Sequence, residues 1–110
     1  MKKITEIAEI LGAEIFNAGD AEREVSGGYA GDFLSFVMGK APADCAWFTV
    51  MANINVCAVA TLADVGAVIL CEGVTPDNNL LEKAREHNIN LLGTKYDVYN
   101  AVKIFAAHEN

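Results

Sequence analysis

The densest chemistry in the chain lies in the run Ser26-Gly27-Gly28-Tyr29-Ala30-Gly31-Asp32. A hydroxyl, adjacent glycines and a carboxylate converge there. Glycines let a phosphate approach backbone N–H groups, and a helix opening at Asp32 would add the positive end of its dipole. The spacing is GGxxG rather than GxGxxG, however, no lysine follows, and Asp32 has the wrong charge for an anion. The same residues read equally well as a bulged strand turning into a capped helix. A second candidate is Thr94-Lys95, where a strand gives way to a helix. Lys95 would neutralise a phosphate or carboxylate there; otherwise Thr94 is a cap beside a solvated lysine. Asn53 and Asn55 follow another strand, as neutral hydrogen-bond donors or as plain helix caps.

Catalytic and metal-binding sets are absent from the pattern. Cys45, Cys57 and Cys71 all sit inside apolar runs, which suits buried, inert thiols better than nucleophiles. They form no CxxC pair, and only His87 and His108 are available to help them, so neither a zinc site nor a disulfide framework is expected. Trp47 lies in an apolar strand and reads as core or interface. The sequence therefore assigns no catalytic residue, no metal and no cofactor.

Composition sets the frame that holds these residues. The chain has 110 residues, 53% of them hydrophobic and 21% charged, with net charge −7. That supports one domain, residues 1–110, with a real core. An acidic chain without a basic cluster has no footprint for nucleic acid or an anionic membrane surface. Its apolar runs are too short to span a bilayer. Met1-Lys2-Lys3 leads straight into Thr5, Glu6 and Glu9 rather than an apolar signal region. A reduced, cytoplasmic setting is expected.

Ile4, Ile7, Ala8 and Leu11 recur at helical spacing, with Thr5 as the expected N-cap and Gly12 as a left-handed C-cap. Ala13 to Phe16 reads as a strand, and Glu24 to Ala30 as a glycine-loosened one. Asp32 is expected to cap a short helix carrying Phe33, Leu34, Val37 and Met38. Three strand-then-helix units follow: strands at Cys45–Val50, Gly66–Cys71 and Ile89–Gly93, helices through Ala63, from Thr75-Pro76-Asp77 to Asn88, and after Thr94-x-x-Asp97. Cys45–Val50 is an apolar run of strand length, and Gly66–Cys71 lacks alternation, as a strand covered on both faces does. The prediction is an α/β layered fold with a mostly parallel central sheet flanked by helices, to which Ala13 to Ala30 could add antiparallel edge strands.

Several stretches carry a family resemblance. Leu70-Cys71-Glu72-Gly73-Val74-Thr75-Pro76-Asp77, Glu82-Lys83-Ala84 and Ile89 to Asp97 resemble the second half of the DRTGG domain. Ile4 to Ala13 and Arg23 to Asp32 resemble the opening of stand-alone members. Such domains occur beside the catalytic domain of phosphotransacetylases and between paired CBS domains in regulated pyrophosphatases, and the N-terminal domain of HPr kinase is similar. Two signature positions differ. The Asp-Arg pair falls near Asn53 to Asn55, with neither residue present, and the Thr-Gly-Gly triplet reads Cys71-Glu72-Gly73.

The resemblance implies a non-catalytic regulatory or small-ligand-binding module acting as a homodimer. A nucleotide-like or anionic ligand would then meet Ser26, Gly27, Gly28, Asp32, Asn53, Thr94 and Lys95 on one rim. Two rival readings stand beside it. One is an interaction subunit that docks on a larger enzyme or kinase without a ligand. The other is a small phosphoryl- or acyl-transfer enzyme using Ser26 and Asp32.

Overall fold

The structure is a computed structural model and describes residues 1–109. Its elements are α1 (Ile4–Leu11), β1 (Glu14–Asn17), β2 (Gly28–Ala30), α2 (Leu34–Lys40), β3 (Ala46–Thr49), α3 (Asn55–Ala63), β4 (Ala67–Leu70), α4 (Asn78–Glu86), β5 (Leu91–Gly93) and α5 (Val98–Ala107). The sheet order is β1-β5-β4-β3-β2. The pairs β2–β3, β3–β4 and β4–β5 are parallel, and β1 closes the sheet antiparallel to β5.

Burial on both faces explains the missing alternation. Trp47, Val68, Leu70 and Leu91 face one core with Val37, Val56, Cys57, Val59, Ala60, Leu80 and Ala84 of α2, α3 and α4. Ala46, Phe48, Ala67, Ile69 and Leu92 face a second core with Ile4, Ile7, Leu11, Ala101 and Phe105 of α1 and α5. Phe48 and Phe105 meet edge-on, with ring centroids 5.4 Å apart. Three helices thus cover one face and two the other.

Several expectations change at the element ends. The Glu24 to Ala30 strand shrinks to an isolated antiparallel bridge between Lys2 and Val25, followed by β2. Of the Ala13 to Ala30 segment, β1 is antiparallel as expected, whereas β2 runs parallel to β3 and opens the series of β-α units. Thr5 is not the cap of α1: the helix begins at Ile4, and the Glu6 carboxylate accepts from the Lys3 N–H at 3.0 Å. Gly12 is the left-handed C-cap, at φ 56°. Asp77, not Thr75, caps α4 and accepts from the Leu80 N–H at 2.9 Å. Asp97 caps α5 the same way through Asn100, while Thr94 is engaged elsewhere.

At the N-terminal edge of the parallel strands, a polar network ties the loops together. Asn90 is buried. Its amide donates to the carbonyls of Asp20 at 2.9 Å and Gly66 at 3.0 Å, and its oxygen accepts from the Asp20 N–H at 2.8 Å. Beside it the Arg23 guanidinium bridges the carboxylates of Asp44 and Asp64, at 2.8 and 2.9 Å.

Two predictions follow from this interior. Asn90→Ala orphans two carbonyls and an amide, so urea unfolding should show a loss of about 2–4 kcal/mol at unchanged m-value. All three cysteines are free and buried. Burial pushes the thiols of Cys45 and Cys71 up from 9.0 to about 11, and that of Cys57 in the same direction. The unfolded chain therefore loses these protons first as pH rises. Stability should hold below pH about 9 and fall progressively towards pH 11, and a thiol reagent at neutral pH should label the native protein slowly and the denatured one fully.

Candidate functional site

The parallel strands step one way, β2 to β3 to β4 to β5, so right-handed crossovers lay α2, α3 and α4 side by side on one face. After β5 the chain turns to the other face and forms α5. The loops leaving β4 and β5 therefore diverge, and a crevice opens between them at the carboxyl ends of the strands. Ligands collect at such divergence points in open α/β sheets.

The crevice is a cleft of about 210 Å³. Gly73, Val74 and Thr75 line it from the β4–α4 loop, and Gly93, Thr94 and Lys95 from the end of β5. Gly12 and Glu14 close it where α1 hands over to β1. Phe16 lies over Gly93, where any side chain would collide with the ring. A second hollow of about 290 Å³ shares Gly12, Thr94 and Lys95 and extends to the exposed ring of Tyr96. Lys95 stands exposed between the two.

Thr94 is a strut of this site rather than a ligand group. It is buried, its hydroxyl donates to the Leu11 carbonyl at 2.9 Å, and the same oxygen accepts from the Tyr96 N–H at 3.3 Å. The bond fixes the C-terminus of α1 against the end of β5. Much of the nearby backbone is also engaged. Glu72 donates to the Tyr96 carbonyl at 2.8 Å and Gly73 to the Thr94 carbonyl at 2.9 Å.

The other sequence-derived site residues are not gathered here. Asp32 lies at the same end of the sheet but does not cap α2, which begins after Phe33 without a side-chain cap. Its carboxylate instead accepts from the Thr49 hydroxyl at 2.7 Å and the Val50 N–H at 2.9 Å, clamping the end of β2 to the end of β3. Asn53 also lies at this end, and its side chain accepts from the Asn55 N–H at 2.9 Å, a turn that starts α3. Ser26, Gly27 and Gly28 precede or open β2, so they lie at the opposite edge. There Ser26 donates through its N–H to the Asp44 carbonyl at 3.0 Å. The Gly27 N–H donates to the Glu109 carboxylate at 2.9 Å. The single-rim arrangement is thus corrected: the length of β2 separates the glycines from Thr94-Lys95, and Ser26 from Asp32.

Sequence reasoning missed Gly12, Gly73, Thr75 and Tyr96. The available signal was the antiparallel return of β1, which brings a helix C-cap beside the end of β5. Among the described residues, no three His, Cys, Asp or Glu side chains gather as a metal set, and no helix is long and apolar enough to cross a membrane.

No family model and no curated protein matches the chain in sequence. A solved structure is similar over 93% of the chain, with TM-score 0.79 and 18% identity. It contains the CBS and DRTGG domains of the regulatory region of a Clostridium perfringens pyrophosphatase, complexed with its activator diadenosine tetraphosphate. The chain spans 45% of that structure's length. At this identity the likeness is one of fold, to a regulatory region that holds a DRTGG domain.

Proposed function

We propose that this chain is a non-catalytic regulatory module that works as a homodimer and binds a small anionic, nucleotide-like ligand in the cleft beside Lys95. The observation that carries the reading is the crevice between the β4–α4 and β5–α5 loops, with Lys95 exposed between two adjoining hollows. Lys95 offers an unspent cationic head for a phosphate, Thr75 a hydroxyl, and Tyr96 an aromatic face on which a base can stack. The likeness in fold to a regulatory region complexed with a dinucleotide supports the same ligand class.

Buried thiols held protonated leave no activated sulfur nucleophile, and Ser26 and Asp32 stand at opposite ends of β2. Both features favour binding over catalysis. The rival enzyme pair of Ser26 and Asp32 has no common centre to act on.

The test is a thermal-shift panel of mono- and dinucleotides, dinucleoside polyphosphates and acyl phosphates. A ligand at 100 times its Kd adds about 2.7 kcal/mol and should raise Tm by several degrees. Lys95→Ala should weaken that ligand by about 1–3 kcal/mol with the unliganded Tm unchanged, because Lys95 is exposed. Tyr96→Ala should weaken base-bearing ligands and spare simple phosphates. A panel with no shift at millimolar ligand refutes the binding reading and leaves the interaction-subunit reading in its place.

A further inference from the structure

Helix α3 reads Asn55-Val-Cys-Ala-Val-Ala-Thr-Leu-Ala63 and carries no charge. A helix apolar on all sides belongs in an interior. Here only Val56, Cys57, Val59 and Ala60 are buried, while Ala58, Thr61 and Leu62 face water. The neighbouring helix repeats the anomaly. Phe33 and Phe36 form an exposed edge-to-face pair, ring centroids 4.8 Å apart, with the Lys40 ammonium 4.8 Å above the Phe36 ring.

We propose that this α2–α3 face is the surface through which two copies of the chain pair. The proposal rests on the homodimer reading above and assigns it a place. Area is the first argument. Leu62 is 74% exposed, Phe33 63%, Phe36 53% and Ile54 46%. Together they leave on the order of 400 Å² of apolar side chain in water. A standard interface takes about 800 Å² from each partner and is a little over half apolar, so these four supply most of what one needs.

Charge is the second argument, and it selects a second copy over a different partner. Two chains of net charge −7 repel each other wherever carboxylates meet. Between Phe33 and Asp64 the only charged side chains are Lys40, Asp44 and Asp64, and the one Arg23 guanidinium is shared by both carboxylates. Across the hollow that Ile54 and Leu62 share with α4 stand His87 and Lys83, the latter paired with Glu86 at 3.4 Å. This face therefore lets identical acidic chains approach without bringing unpaired carboxylates together. A basic partner would gain more on the acidic surfaces elsewhere.

Sedimentation equilibrium of the full chain from 1 to 100 μM tests the proposal. Wild type should weigh twice 11.8 kDa. Leu62→Glu and Phe36→Glu put like charges across the two-fold axis, and each should raise the dimer Kd at least 100-fold. Both positions are exposed, so circular dichroism and the monomer's urea midpoint should stay close to wild type. Tyr99→Glu on α5, 73% exposed on the opposite face, should leave the dimer intact. A wild-type monomer at 100 μM overturns both this proposal and the homodimer reading, and makes the face a docking site for another protein. A dimer that survives both glutamate variants, or breaks only with Tyr99→Glu, overturns the assignment of the face alone. The thermal-shift panel reads ligand binding independently of either outcome.

Discussion

Everything in this molecule depends on the one-way order of its parallel strands. Burying β3, β4 and β5 on both faces requires two layers of helix, yet right-handed crossovers stepping one way can supply only one. The second layer has to come from the two ends of the chain, α1 and α5. That requirement sends the chain over the sheet after β5, so that neighbouring loops part at the ends of β4 and β5. The cleft is thus a by-product of covering the core. The hydroxyl of Thr94 then fixes its geometry by pinning the end of α1 to the end of β5.

The buried strands were the legible part of the fold. Cys45–Val50 and Gly66–Cys71 read as continuous apolar runs because Trp47 and Phe48, or Leu70 and Ile69, serve opposite cores. Caps were legible only where no better partner competed for the side chain. Gly12 does what its type suggests, whereas Asp32 and Thr94 are drawn away by tertiary donors and acceptors that sequence spacing does not reveal, and Asp97 takes the cap of α5 that the spacing gave to Thr94. The misplacement of Gly27 and Gly28 has another cause. A glycine-rich run gives no sign of which end of a strand it occupies, and here it opens β2 instead of closing it.

Electrostatics divides the surface in the same economical way. Acidic side chains crowd the chain as a whole, yet two of the three that adopt positive φ share one cation. Asp44 and Asp64 both adopt positive φ, at 67° and 57°, and the same arginine holds the two. One half-buried cation thereby steadies the turns that lead into β3 and β4. It also leaves the helical face beside them electrically quiet.

The Lys2–Val25 bridge and the Glu109–Gly27 hydrogen bond place both ends of the described chain beside the same three residues, 25 to 27. A fold whose ends meet is topologically a closed ring with one cut in it. It can be spliced into a surface loop of another protein without stretching its host. It can equally be reopened at an exposed turn such as the one around Pro42, with its old ends joined by a short bridge. Either operation would keep the cleft and the α2–α3 face as they are, because neither lies at the join.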